Sequence, residues 1–108
     1  LKIKGMLNMS LKEELNSMYN DALYNYIIEG CKRMAKKGKS SFVQSWTYNP
    51  KDERDSADHQ KMYYDLKRIA RGLEEEGLIV IIEKETYAKT LNYWLTTDET
   101  KIVLEVRW

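Results

Sequence analysis

An amphipathic helix followed at once by a short apolar strand, over residues 57–82, constrains the fold of this chain most strongly. At 100° per residue, one narrow face of residues 57–76 is apolar. This face consists of Met62, Leu66, Ile69, Ala70 and Leu73. Gly77 predicts the left-handed residue that ends the helix, and residues 78–82 are a β-branched run too short for another helix. The pattern therefore predicts a helix that packs on a sheet and leads directly into one of its inner strands.

Another helix is predicted over residues 10–37. Ser10 and Glu13 have the spacing of a capping box, and Gly38 follows a basic last turn. The face expected in the core consists of Leu11, Leu15, Tyr19, Ala22, Tyr26 and Gly30. A second apolar stripe lies on the opposite side of the helix and consists of Tyr24, Ile28, Cys31 and Ala35. This stripe is either covered by residues 1–9 or forms an interface with a partner or a second copy.

In addition to the apolar run at 78–82, three segments in which apolar and polar residues alternate are predicted to be strands. The predicted strands are residues 40–48, 78–82, 91–96 and 102–108. The polar residues 97–100 predict a hairpin turn. The expected fold is a two-layer α+β domain with helices 10–37 and 57–76 on one face of a mainly antiparallel four-stranded sheet. The element order is α-β-α-β-β-β. The predicted core is Leu15, Ala22, Tyr26, Leu66, Ile69, Leu73, Val80, Ile102, Leu104 and Val106.

Length and composition indicate one ordinary globular domain. The 108 residues suffice for a single core, predicted over residues 10–108, with residues 1–9 as an N-terminal extension or edge strand. The net charge of +1 argues against a protein that coats nucleic acid in general. Cys31 has no intrachain partner for a disulfide, and no apolar run exceeds five residues. These features predict a cytoplasmic protein that does not enter a membrane.

Candidate catalytic and metal-binding residues are few and lack the spacing of known sites. No candidate nucleophile in the sequence lies in a catalytic motif that would use His59 as its base, which favours a structural role for this histidine. Cys31 lies near a helix C-terminus, where a thiolate is not stabilised. The acidic residues 52–58 lack the spacing of a calcium loop, and with His59 they do not form a zinc ligand set. We expect a non-enzymatic protein without cofactor or metal.

Two features indicate binding. The first is the outer face of the 57–76 helix, which opposes its apolar face. This outer face consists of Lys61, Tyr64, Lys67, Arg68 and Arg71. It is either a phosphate-binding surface or an ordinary solvated helix face. The second feature is the eight Tyr and three Trp residues, which are the residue types that dominate recognition hot spots.

Residues 66–80 (LKRIARGLEEEGLIV) resemble the end of a recognition helix that enters the wing of a winged-helix transcription regulator. The resemblance implies that the outer face enters the DNA major groove. The chain departs from the family because residues 51–58 lack the apolar pair that a preceding helix would bury. In addition, the predicted 97–100 turn is acidic.

The whole pattern is similar to small bacteriophage and mobile-element proteins without assigned activity. It comprises a capped helix that ends in AKKGKSS, a helix-Gly-strand unit and a last strand ending in tryptophan. This resemblance implies an accessory role exercised by binding a host macromolecule. Together these features predict a small binding module, with a protein partner or homodimer favoured over nucleic acid. The alternative is a winged-helix-like DNA-binding regulator.

Overall fold

The computed structural model describes residues 10–108, so the extension or edge strand predicted for residues 1–9 lies outside the described part. The elements are α1 (Leu11–Lys36), β1 (Ser41–Tyr48), α2 (Glu53–Glu75), β2 (Ile79–Thr90) and β3 (Thr96–Arg107). Two helices and an antiparallel sheet confirm the predicted α+β class, but the sheet has three strands. Within residues 10–108, neither helix is long and apolar enough to cross a membrane.

The sheet has the order β1-β3-β2, so the last of the three strands in the chain is the central one. Val106 pairs with Phe42 on one side and Val80 on the other. Alternate β3 residues are buried because side chains of a strand alternate between the faces of the sheet. Among the described residues, one core cluster joins this face of the sheet to both helices. Its buried members are Ile27, Phe42, Tyr48, Met62, Leu66, Leu73, Ile102, Leu104 and Val106.

The predicted fourth strand, at residues 91–96, is wrong. Strand β2 continues to Thr90, residues 91–95 form the hairpin loop, and the predicted turn at 97–100 lies inside β3. Asn92 explains the difference, because its Oδ1 accepts hydrogen bonds from the backbone N–H groups of Trp94 (2.8 Å) and Leu95 (2.9 Å). This side-chain turn closes the loop although the flanking residues are apolar.

The expectation that residues 78–82 form an inner strand is also wrong, because β2 is an edge strand. Ile79 is exposed, whereas Val80 and Ile82 pack partly against the core. The run is apolar on both faces, which is typical of an inner strand. Here β3 takes the central position because both β1 and β2 pair with it.

Both helices end as their sequences predict, in left-handed glycines. Gly38 has φ +78° and Gly77 has φ +92°. In each case the N–H of the following residue donates back to a carbonyl five residues earlier, as in a Schellman motif. Ser10 and Glu13 form the predicted capping box. Helix α2 begins at Glu53 rather than residue 57, because the Asp52 side chain accepts from the backbone N–H of Asp55 (3.0 Å).

The core-facing side of α1 agrees with the predicted one at Gly30 and differs from it at the other five positions. Ile27 and Gly30 are buried, whereas Ala22 is exposed and Leu15 and Tyr26 are 55% and 47% exposed. The three exposed residues were wrongly placed in the core. Because α1 carries apolar side chains around most of its circumference, periodicity does not select one face. The absence of a side chain at Gly30, which leaves room for the ring of Phe42, fixes the rotation of α1 instead.

Candidate binding surfaces

The outer face of α2 is exposed, as its sequence predicts, but its charge is partly neutralised. Asp65 is buried beneath it, with 5% of the side chain exposed. Lys61 Nζ lies 3.4 Å from Asp65 Oδ2, and the Arg68 guanidinium donates to Asp65 Oδ1. The i, i+4 and i, i+3 spacings around Asp65 were the signal in the sequence for this cluster. Two of the four cations of the outer face are therefore paired within α2.

The remaining outer-face residues are Tyr64, Lys67 and Arg71. Tyr64 and Arg71 are exposed, and Lys67 Nζ lies 4.6 Å from the ring centre of Tyr63. Lys84 of β2 contacts the same ring, with its Nζ 4.9 Å from the ring centre. Tyr63 thus holds two cations from different elements by cation–π contact. Of the two outer-face cations that do not pair with Asp65, Lys67 therefore lies at the junction between α2 and β2.

The second stripe of α1 is divided by the fold. Ile28 and Cys31 pack against the core cluster, while Tyr24 and Ala35 are exposed. Burial raises the pKa of the Cys31 thiol, which favours the unreactive protonated form. The four residues therefore do not form one continuous free surface.

His59 packs at the start of α2 against β1. Its ring stacks on Tyr48 with ring centres 4.7 Å apart and an interplanar angle of 17°. Its Nδ1 lies 2.9 Å from the backbone carbonyl oxygen of Asp55 and 3.2 Å from Asp55 Oδ1. Because both neighbours are acceptors, Nδ1 carries a proton and donates. These contacts assign His59 to the junction between α2 and β1, and within residues 10–108 no group of three His, Cys, Asp or Glu residues could hold a metal ion.

Two cavities lined by described residues lie outside the core. One, of about 350 Å³, lies on the hairpin and is lined by Glu83, Lys84, Glu85, Lys101 and Val103. The other, of about 220 Å³, lies between α1 and α2, beside Asn20, Asp65, Arg68 and Ile69. Asn20 Oδ1 is buried and has no hydrogen-bond partner among the described residues. Neither cavity brings a nucleophile beside a base.

The hairpin loop is the most exposed apolar feature of residues 10–108, and it was not predicted from the sequence as a binding surface. We define the hairpin tip as residues 91–95. Tyr93 is 99% exposed and Trp94 is 89% exposed, and Leu91 and Leu95 are also exposed. The backbone N–H of Leu91 donates to the carbonyl of Leu95 (2.9 Å), which closes the loop. The signal in the sequence was Asn92, a turn-forming residue inside an apolar segment.

Below the tip, the hairpin is held by polar contacts across its strands. Thr86 and Thr100 form a hydrogen bond of 2.8 Å between their hydroxyl groups, and the Tyr87 hydroxyl donates to Glu99. This hydrogen bond lowers the pKa of Glu99 and raises that of Tyr87. Lys89 Nζ also lies 3.4 Å from Glu99 Oε1. These contacts join the two strands of the hairpin below the tip.

Comparisons of this chain with family models, curated proteins and solved structures find no match.

Proposed function

We propose that this chain is a small non-enzymatic binding module that docks its hairpin tip into an apolar recess of a partner protein. The observation that carries the proposal is the exposure of four large apolar side chains within five consecutive residues. Aromatic side chains, above all Trp and Tyr, dominate the hot spots of protein interfaces. The tip therefore has the composition of an interface centre rather than of an ordinary solvated loop.

The geometry of the tip supports this role. The side chain of Asn92 fixes the backbone of Trp94 and Leu95 through two hydrogen bonds. A recognition loop that is already ordered loses less conformational entropy when it binds. Preorganisation thus favours docking of Tyr93 and Trp94 into a formed recess.

The charges around the tip favour protein over nucleic acid as the partner. Residues 91–95 contain no charged side chain. The nearest cation in β2, Lys89, lies beside Glu99 of β3. Phosphate contacts need unpaired cations, whereas an apolar recess needs none. From its resemblance to bacteriophage and mobile-element proteins, we propose a host protein as the partner and an accessory role for this chain.

The contacts of His59 and Cys31 support the non-enzymatic character. His59 uses Nδ1 for Asp55 and stacks its ring on Tyr48. Cys31 packs against the core, and its pKa is raised. Neither residue is poised as a nucleophile with a neighbouring base.

Capture of a partner from a bacterial lysate, with the full chain as bait, tests the proposal. Trp94→Ala should weaken the captured complex about 30-fold, since hot-spot truncations cost about 2 kcal/mol or more. Tyr64→Ala is the matched control, because Tyr64 is an exposed aromatic residue far from the tip in sequence. Equal retention of the partner by wild type and Trp94→Ala would contradict docking through the tip.

A second candidate function, duplex DNA binding in the manner of a winged helix, is favoured by one observation. The β2–β3 hairpin follows α2 directly, and Lys67 and Lys84 both lie over Tyr63 at their junction. In a winged-helix protein, the recognition helix and the wing are adjacent in this way. Two features weigh against it: Asp65 pairs with Lys61 and Arg68, and the described residues 49–52 between β1 and α2 form a turn, not a helix.

Titration with duplex DNA over a salt series separates the two functions. If the outer face of α2 meets DNA, Lys67→Glu/Arg71→Glu should abolish binding at moderate salt. Single changes should reduce the salt slope by about one unit for each lost phosphate contact. Under the favoured proposal, wild-type DNA affinity is already weak and nonspecific. Tight, sequence-selective binding that the double variant loses would establish the second function instead.

A further inference from the structure

The N-terminal half of α1 (residues 11–22) carries an apolar stripe that the described part of the chain leaves uncovered. We define the α1 seam as Leu11, Leu15, Met18 and Ala22. The three larger side chains are 69%, 55% and 61% exposed, in chain order, and Ala22 is also exposed. Successive seam residues are separated by four, three and four positions. This is the alternating spacing of a and d positions in a coiled coil.

The seam points away from the body of the protein. In this half of α1, the residues least exposed to solvent are Asn16 and Asn20, which continue the line of Leu23 and Ile27. At 100° per residue, the centre of the seam lies roughly 140° around the helix axis from this line. The domain therefore packs against one side of α1 and leaves the seam on another.

The N-terminal half of α1 approaches α2 on the side opposite the seam. Lys61 Nζ lies 4.3 Å from the ring centre of Tyr19, and Asn20 lines the cavity beside Asp65. Burial, and then the nearby carboxylates of Asp65 and Asp58, raise the pKa of Tyr19. Turning α1 to bury the seam against α2 would break these contacts and the fit of Gly30 to Phe42.

We infer that a second copy of this chain covers the seam, by parallel pairing of the two N-terminal halves of α1. A seam with heptad spacing fits a helix of the same spacing, which a second copy supplies by two-fold symmetry. With Leu15 and Ala22 at a positions, Glu14 and Asp21 occupy g positions. Lys12 and Tyr19 occupy e positions in the same frame.

The flanking charges select the parallel direction. In a parallel pair, g residues face e residues of the partner, so Glu14 meets Tyr19 of the second copy. In an antiparallel pair, g residues face each other, which would place Glu14 against Asp21 and oppose two like charges. The parallel arrangement avoids this repulsion. Because the seam spans only about 18 Å of helix, the dimer dissociates on dilution.

Analytical ultracentrifugation of the full chain over a concentration series tests the inference. The wild type should show a monomer–dimer equilibrium, and Leu15→Glu/Met18→Glu should be monomeric throughout the same range. Tyr64→Glu is the matched control because Tyr64 is similarly exposed on the other helix, and it should dimerise like wild type. Circular dichroism confirms that the double variant keeps its fold, as expected for changes at exposed residues.

Two results would overturn the inference. One is a wild type that stays monomeric at every concentration, which would mean that no second copy covers the seam. The other is a double variant that dimerises as strongly as wild type. Trp94→Ala should leave the dimer unchanged, so failure of the proposed hairpin-tip function and failure of the dimer are distinguishable.

Disulfide trapping tests the direction of pairing. In a Cys31→Ser background, Ala22→Cys places two thiols at the same level of a parallel pair, and oxidation should produce a covalent dimer. Ser17→Cys, on the side of α1 away from the seam, is the control and should not cross-link. Cross-linking of Ser17→Cys as fast as Ala22→Cys, or no cross-linking of Ala22→Cys, would contradict parallel pairing.

Discussion

The two helices of this protein are similar in length, yet they pack in different ways. Helix α2 has one apolar face, on which Met62, Leu66, Ala70 and Leu73 are buried and Ile69 is half-buried. Helix α1 buries only Ile27 and Gly30, and its N-terminal half keeps its largest apolar residues in solvent. The difference shows that a helix with apolar residues on several sides is oriented by its contacts, whereas a one-sided helix is oriented by its own pattern.

The largest expected change in the free energy of unfolding comes from truncating a buried side chain, and it can be compared between the two helices. Leu66→Ala and Ile27→Ala should each lower the free energy of unfolding by about 2–5 kcal/mol, because each side chain is fully buried and its removal leaves a cavity. Urea denaturation followed by circular dichroism measures the change. A near-neutral result for Ile27→Ala, with a large loss for Leu66→Ala, would mean that the assigned orientation of α1 is wrong.

The glycines inside the two helices should respond to the same substitution with opposite signs. A Cβ at Gly30 would overlap the ring of Phe42, so Gly30→Ala should destabilise the fold by about 1–3 kcal/mol. A Cβ at Gly72 of α2 meets no atom within 4 Å. Gly72→Ala should therefore stabilise by about 0.5–1 kcal/mol, since alanine is the better helix former. Thermal unfolding of both variants measures the two effects, and a Gly30→Ala variant at least as stable as wild type would contradict the packing of α1 on β1.

The smallest expected effect is a change in the pKa of Tyr19, which lies where the N-terminal half of α1 contacts α2. Asp65→Asn should lower the pKa of Tyr19 toward its ordinary value, because it removes one of the two carboxylates that raise it. Burial and Asp58 should keep that pKa above the ordinary value. An NMR pH titration of the Tyr19 ring measures the shift.

The effect of Tyr19 on stability has a defined sign. The pKa of Tyr19 is higher in the folded state than in the unfolded state. The contribution of protonated Tyr19 to the free energy of unfolding is therefore fully present below the unfolded-state pKa. It is lost as the pH rises through the folded pKa. Asp65→Asn should therefore weaken this alkaline loss of stability. An unchanged Tyr19 titration would show that α1 and α2 do not meet at this point.

The sequence predicts those parts of the fold in which local signals agree. The capping box at Ser10, the glycine ends of both helices and the apolar face of α2 are each encoded within a few residues. Strand β1 is similar, because Phe42 and Tyr48 are buried while Val43 is exposed, as their alternation predicts. These features need no information from distant parts of the chain.

The remaining features depend on contacts between distant residues. The orientation of α1 is determined by the fit of Gly30 to Phe42, and the central position of β3 by its pairing with both neighbours. In the candidate surfaces, the outer face of α2 could be predicted from periodicity alone. The partial neutralisation of the outer face by Asp65 was missed. The hairpin tip was also missed, because alternating apolar residues at 91–95 are equally typical of a strand.

The strand order β1-β3-β2 also has a consequence for synthesis on the ribosome. Strand β1 cannot pair until β3, which emerges after both helices and β2, has left the exit tunnel. Until then, the buried faces of α2 and β1 have no complete sheet to cover them, although each helix can form locally. The newly made chain should therefore depend on rapid release of β3, and pausing before residue 96 should increase chaperone binding.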